Sequence, residues 1–398
     1  MQKRIGDLFD VKAGGDLQEA YYSSYPTAEA QWPIYANSLE NKGLYGYTSR
    51  PRFSGNAVTI TGRGDIGHAE FRLDAFDAIV RLLVLLPKAE VDCRYITYYI
   101  NSHVHFPKES TGVPQLTAPK VKRIKINLPQ SKEEQTAIAN ILSKVDEVIA
   151  SVQNSIAAAE RLKKSLMQNL LTGKMKPDGT FRTPEEFYID EKFGKVPVGW
   201  EVKSIDEISD FVQYGLNISS SDNGQIPMLR MNNIVNGEMS DSPLVYVNLN
   251  DQLLQQYELE AGDILFNRTN SMDLVGKVGV FRLMGKYVFA SYLIRVRVSK
   301  ENNPYYINLA LNSYPIQCSL RSKATPAVSQ ANINSKSLRH TQIFKPKKKD
   351  EQDLVMSKIE EVEHVILQKN DKVKKLEQLK KSLMQNLLTG KIKIDKDI

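Results

Sequence analysis

The chain has 398 residues, 41% of them hydrophobic and 25% charged, with a formal net charge of +7. That length suits two or three domains, and the composition excludes a disordered or low-complexity protein. The basic balance is a mild tilt toward anionic partners, which charge alone does not convert into nucleic-acid binding.

Cys93 and Cys318 lie far apart in sequence, which argues against a disulfide framework and suits a reducing cytoplasm. The opening residues, Met1-Gln2-Lys3-Arg4-Ile5-Gly6-Asp7, lack the apolar core of a secretory signal. The longest apolar run, residues 79–86, is interrupted by Arg81. It is too short to span a membrane and is expected as one buried strand.

In chain order, residues 1–130 read as a first domain, with strands at 57–61, 79–86 and 124–128 and a short helix at 95–101. Residues 131–174 read as one long helix. Its apolar positions Ile138, Ile141, Val145, Val148, Val152, Ile156, Ala159, Leu162, Leu166 and Leu170 step by three and four, close to a coiled-coil seam. Pro129 precedes it, Ser131 and Glu134 have capping-box spacing, and Gly173 is a natural stop. Residues 175–198, rich in Pro and Gly, read as a linker. Residues 199–346 read as a second domain, with strands at 264–266, 278–281 and 292–298 and a helix at 305–312. A second long helix, 347–391, carries Val355, Ile359, Val362, Ile366, Val373, Leu376, Leu379, Leu383 and Leu387, with a polar interruption near Lys369-Asn370. A tail, 392–398, follows.

The chain is written twice. Residues 164–174, KSLMQNLLTGK, recur unchanged as 381–391, and Pro129, Glu134-Gln135, Val145 and Ile149 match Pro346, Glu351-Gln352, Val362 and Ile366. Fainter matches join Lys3 to Lys203, Ile5 to Ile205, Tyr95-Ile96 to Tyr306-Ile307, Asn101-Ser102 to Asn312-Ser313, and Val113-Pro114-Gln115 to Val328-Ser329-Gln330. Each long helix is roughly 60 Å in length and carries a stripe it cannot bury alone. The expected fold is α+β: two mixed α/β domains separated by two long antiparallel helices that form an intramolecular coiled coil, with a pseudo-two-fold internal repeat. Each stripe packing on its own domain, or driving dimerisation, is the alternative. The repeat also places the tail against the first domain.

Variable domain, long helix, variable domain, long helix resembles the specificity subunit of type I restriction–modification enzymes. The resemblance rests on Leu128-Pro129 with Glu134-Gln135, the block 164–174 and its copy, Val196-Pro197-Val198-Gly199-Trp200, and Gly262-Asp263-Ile264-Leu265 with Arg268. In the first domain Gly55-Asn56-Ala57-Val58 loosely echoes that last motif. The resemblance implies two target-recognition domains, each reading half of a bipartite double-stranded DNA target. It implies helices that dock two copies of a methylation subunit, and a restriction subunit in the full complex. S-adenosylmethionine, ATP and Mg would belong to those partners, with no cofactor in this chain and no membrane. Adenine methylation and cleavage would be the partners' work, directed by this non-catalytic, cytoplasmic subunit.

Side chains suited to DNA are Tyr45, Tyr47, Thr48, Arg50, Thr61 and Arg63 in the first domain, and Arg230, Asn232, Asn233, Asn267, Arg268, Asn270 and Ser271 in the second. Arg pairs bidentately with guanine, and Asn with adenine. Lys347-Lys348-Lys349 suits phosphate or a solvated surface equally. Asn303-Pro304-Tyr305-Tyr306 lacks the second Pro of a base-flipping methyltransferase pocket and reads as a turn. Gly62-Arg63-Gly64-Asp65-Ile66-Gly67 reads as a loop rather than a phosphate cradle. His103, His105 and Cys93 do not complete a metal-ligand set, and neither a catalytic residue nor a metal site is expected. Two other readings stand beside recognition: a coiled-coil structural adaptor with two protein-binding domains, and a single-chain methyltransferase–nuclease, for which length and cofactor motifs are wanting.

Overall fold

A computed structural model describes residues 1–106, 115–129, 131–221, 223–271, 274–326 and 331–394. The chain divides into two compact units, one of residues 1–156 with 368–398, the other of residues 157–367. Both boundaries fall inside the long helices, Lys132–Leu171 and Lys349–Leu387.

In the first unit, Gln2–Arg4 pairs with Lys125–Asn127, and the helix Ile5–Leu8 leads directly into Phe9–Ala13. That strand edges a four-stranded antiparallel sheet in the order Phe9–Ala13, Leu83–Pro87, Ala57–Ile60, Ala69–Arg72. Successive side chains of a strand face opposite ways. Val58, Ile60, Leu83 and Leu85 therefore enter the main core with Ile5, Phe9, Tyr95 and Ile96. Ala57 and Val84 face a smaller core with Phe76 and Leu82. A second sheet runs Tyr22–Ser23, Leu44–Thr48, Trp32–Tyr35, Asp77–Ala78, its last pair parallel. The apolar run 79–86 is thus not one strand. It is divided by a turn in which Val80 and Arg81 have φ of 53° and 59°.

The second unit repeats this wiring. Trp200–Ser204 pairs with Gln342–Pro346, and Ile205–Ile208 leads into Ser209–Tyr214. That strand edges a six-stranded sheet through Leu293–Val298, Ile264–Asn267 and Val278–Val280 to Glu238–Met239 and Ile234–Val235. Ile264, Phe266, Ile294 and Val296 face one core, and Leu265 and Leu293 the other. A three-stranded sheet, Val245–Val247, Ile226–Leu229, Val288–Phe289, also ends in a parallel pair. Another joins Thr269–Asn270, Ala331–Asn332 and Thr325–Pro326.

The expected linker carries structure of its own. Phe187–Asp190 and Gly194–Pro197 form a hairpin, Met175 and Phe193 pack on the unit's core, and Arg182 pairs with Glu351 at 2.7 Å. Loop composition describes the turns of this segment but not the packing of Phe193.

Register corrects the echo between Gly55-Asn56-Ala57-Val58 and Gly262-Asp263-Ile264-Leu265. Val58 faces Leu85, which faces Val11; Ile264 faces Val296, which faces Val212. Val58 therefore corresponds to Ile264, and Ala57 to Asp263. Asp263 is buried and binds Arg297 through both oxygens at 2.7 Å, with Arg295 at 3.5 Å. At the corresponding places the first unit has Ala57, Val84 and Leu86, all apolar.

The Glu-Gln pairs join each long helix to its unit. The helix Cys93–His103 is capped by Asp92, whose N–H donates to Gln135 Oε1 at 3.1 Å. The helix Pro304–Leu311 is capped by Asn303, whose N–H donates to Gln352 Oε1 at 2.8 Å. Asn303-Pro304-Tyr305-Tyr306 is thus a helix start. Ser131 Oγ accepts the Glu134 N–H at 3.2 Å, as its spacing predicted.

Within each unit the two helix segments run antiparallel. In the first, Ile138 and Leu142 share a core with Leu383, Leu387 and Leu388, and Lys380 pairs with Asp146 at 2.6 Å. In the second, Leu166, Leu170 and Leu171 share a core with Val355 and Ile359, and Lys163 pairs with Glu363 at 2.7 Å. The tail's Ile394 packs against the core of the first unit; residues 395–398 lie outside the described residues.

Candidate nucleic-acid interface

In the second unit, three strand ends bring the polar side chains together. Arg268 follows Ile264–Asn267, donates its N–H to Tyr292 O at 3.0 Å, and accepts the Ile333 N–H at 2.8 Å. Its guanidinium carbon stands 4.8 Å from the centroid of the Tyr214 ring, and its buried Nε has no hydrogen-bond partner among the described residues. Arg230 closes Ile226–Leu229, and its Nε is likewise unpartnered. The turn after Arg230 meets the other strand end where Asn270 Nδ2 lies 3.7 Å from Met231 Sδ. Asn232 and Ser271 are exposed.

Tyr214 and Tyr292, 38% and 52% exposed, belong to this cluster and were not among the sequence candidates. The Tyr214 hydroxyl accepts the Ser335 N–H at 2.9 Å. Burial raises the pKa of that phenol, but the Ser335 hydrogen bonds and the Arg268 charge outweigh it, and the net shift is downward. The cluster therefore offers guanidinium, amide and aromatic groups on one unit, the chemistry that reads base edges and stacks on bases.

Other candidates prove to be internal. Asn233 is wholly buried, accepts the Arg230 N–H at 2.9 Å, and donates to Ser240 O and Pro243 O at 3.0 Å. Asn267 is wholly buried; its Oδ1 accepts the Thr269 N–H and its Nδ2 donates to Leu274 O. Thr61 is buried, with its hydroxyl donating to Asp65 O and accepting the His68 N–H at 3.0 Å. Thr48 is buried and accepts the Arg50 N–H at 3.0 Å. These side chains satisfy backbone groups at turns, which buried polar groups must do.

In the first unit, Arg63 is exposed beside Gln115, its bridge partner. The Tyr45 group lies on the other sheet. Tyr45 is exposed and its ring is 5.8 Å from that of Tyr22, Tyr47 is half-buried, and Arg50 donates to the Tyr21 hydroxyl at 2.8 Å while lying over that ring. Leu116 N–H donates to Gly62 O as Ile333 N–H donates to Arg268 O. Asn332, opposite Thr269, thus holds the place of Gln115. Gln330, the residue matched to it by sequence, lies outside the described residues.

Lys349 is paired with Asp353, and Lys347 and Lys348 are exposed. Cys93 is buried, its thiol pushed up to about 12, first by burial and then by the Asp92 charge. Among the described residues, no three His, Cys, Asp or Glu side chains come together as a metal-binding group, and no helix is long and apolar enough to cross a membrane.

The fold and these loops define a two-unit α+β protein that presents different polar side chains at the strand ends of one recurring frame. Residues 1–161 and 197–380 match the type I restriction modification DNA specificity domain, and the chain belongs to that family. It is 28% identical over 215 residues to the putative type I restriction enzyme MjaX specificity subunit of Methanocaldococcus jannaschii, a match covering 51% of this chain and 50% of that protein. With the MjaIX specificity subunit of the same organism it is 24% identical over 364 residues, covering 84% of this chain and 81% of the relative. The fold is similar to that of the type I restriction-modification S subunit from M. genitalium, with a TM-score of 0.59 at 16% identity, covering 97% and 95% of the two chains.

Proposed function

We propose that this chain is the DNA-recognition subunit of a type I restriction–modification complex. Each unit reads one half of a bipartite target for partner subunits that methylate and cleave. One observation carries the reading: the hydrogen bond from Leu116 N–H to Gly62 O recurs as Ile333 N–H to Arg268 O, while the side chains around it change from Gly62, Arg63 and Gln115 to Arg268, Thr269 and Asn332. A conserved frame with altered side chains at its strand ends suits two domains that read different sequences. A structural adaptor has no need for guanidinium and amide groups at both places.

The two long helices form an intramolecular antiparallel coiled coil and dock two methylation subunits on repeated surfaces. In support of a single register, the residue numbers of Asp146 and Lys380 add to the same total as those of Lys163 and Glu363. S-adenosylmethionine, ATP and Mg belong to the partners, and this chain supplies recognition without catalysis in the cytoplasm.

The test is retention of random duplex DNA by the chain together with its methylation subunit, followed by sequencing of the retained molecules and of methylated adenines in the source cell. A split consensus is expected, the same in both data sets. Retention without any sequence preference would leave the adaptor reading in its place.

A further inference from the structure

We infer, resting on the recognition reading above, that Arg81 is a base-reading residue of the first unit, held in place beside Arg63. The sequence shows an apolar run broken by a single arginine, and the structure shows what the break does. Val80 and Arg81 occupy the left-handed region in succession, at φ of 53° and 59°. Cβ–carbonyl crowding disfavours that region, most of all for a β-branched residue such as valine. Glycine would adopt it freely.

Neighbouring groups hold the turn in this conformation. Val80 N–H donates to Gly15 O at 3.0 Å, Ile79 N–H to Tyr35 O at 2.9 Å, and Leu82 N–H to Ile79 O at 3.1 Å. The Asn37 carboxamide then ties two loops together. Its Nδ2 donates to Val80 O, and its Oδ1 accepts the Gly62 N–H at 2.6 Å. A Cβ at Gly62 would stand 3.2 Å from Arg81 O, so the absence of a side chain there lets the two loops close up. Arg63 follows Gly62, and both Arg63 and Arg81 are exposed.

Among the described residues, the Arg81 side chain has no hydrogen bond or ion pair that calls for arginine at this position. The side chain is exposed, and the backbone conformation would be easier without it. Backbone strain maintained by surrounding hydrogen bonds concentrates at functional sites. Here those hydrogen bonds hold the backbones of two loops together, each carrying an exposed arginine, at the places where the second unit presents Arg268 and Tyr292. A guanidinium in such a place suits the O6 and N7 of a guanine, which accept it bidentately.

The experiment uses Arg81→Gly in the complex with the methylation subunit, beside the unaltered complex. Binding is measured to the cognate duplex and to duplexes altered at one base pair. Discrimination at one position of one half-target should fall about ten- to a hundred-fold, with the other half unchanged. Thermal stability should hold or rise, since glycine relieves the strained φ. Unchanged discrimination overturns the assignment. So does an even loss over all sequences with a shallower salt dependence, which marks a phosphate contact, and so does a lowered melting temperature with both halves lost. If the unaltered complex itself shows no preference, the recognition reading falls and Arg81 with it; if only the variant comparison fails, that reading stands.

Discussion

Gln352 Oε1 accepts the backbone N–H of Asn303 at 2.8 Å, and Asn303 in turn caps the helix Pro304–Leu311 with its own side chain. Gln352 is fully buried, and its Nε2 donates to Pro346 O at 3.0 Å. One amide thus ties the start of a long helix, the end of a strand and the cap of a short helix. Gln135 plays the same part for Asp92. Gln352→Ala leaves a buried N–H unpaired, at about 1–3 kcal/mol. Amide hydrogen exchange in Pro304–Leu311 should therefore quicken about five- to 150-fold, with Cys93–His103 unaffected. Gln135→Ala should do the reverse. Equal effects of both variants on both helices would show that the glutamines act through the long helices rather than through these caps.

Asp263 is the counter-charge for two arginines. Removing it leaves Arg295, itself buried and already lowered in pKa by burial, without its carboxylate. Asp263→Ala should cost about 3–5 kcal/mol, the usual loss when one partner of a buried pair is deleted. The first unit indicates a rescue, because its corresponding residues are Ala57, Val84 and Leu86. Adding Arg295→Val and Arg297→Leu to Asp263→Ala should recover most of the loss, since apolar groups can replace a buried ionic cluster at little net cost. Urea denaturation followed in the second unit checks this. A triple variant no more stable than Asp263→Ala would mean that the Arg295 bonds to Glu258 O and Gln256 O matter more than the charges.

Much of the frame was legible in the sequence, and the reasons are local. Lys3 and Lys203 were matched by sequence, and the structure gives both the same place, one residue before a cap and two before a four-residue helix. The long helices announced themselves by apolar period, capping residues and terminal glycines. The Gly55 echo is off by one residue because a short match of Gly and small residues does not carry strand register, and only the strand partners show that Val58 corresponds to Ile264. The burial of Thr48, Thr61, Asn233 and Asn267 was not legible for another reason. A polar residue at a strand end looks the same in sequence whether it faces solvent or satisfies a turn. Tyr214 and Tyr292 were missed because their proximity depends on sheet order, Ser209–Tyr214 lying beside Leu293–Val298.

Arg268 is where the second unit's recognition is expected to concentrate. Its buried Nε is unpartnered among the described residues, and its guanidinium lies over Tyr214. Arg268→Ala should remove about 1–3 kcal/mol of discrimination at one position of one half-target, leaving the other half intact. Competition between cognate and single-substitution duplexes measures it. Uniform weakening, with the salt slope reduced by about one, would instead assign Arg268 to phosphate.

The two copies of KSLMQNLLTGK offer a test of context at constant sequence. Gly173 and Gly390 both have left-handed backbones, at φ of 66° and 72°. Alanine is strained there by roughly 1–2 kcal/mol, whichever copy is changed. Their surroundings differ. A Cβ at Gly173 would lie 2.2 Å from Pro197 Cγ and 3.2 Å from Trp200 Cζ2, whereas among the described residues nothing stands within 4 Å at Gly390. Trp200 cannot easily yield, because its Nε1 donates to Glu351 Oε1 at 2.9 Å and its ring packs on Phe344 and Tyr306. Gly390→Ala should therefore cost only the backbone term. Gly173→Ala should cost that term and about 1–3 kcal/mol more for overpacking, with a shift in Trp200 fluorescence that Gly390→Ala does not cause. Equal losses in the two variants would mean that the segment carrying Pro197 moves aside at no cost, and that its packing against the helix end contributes nothing to stability.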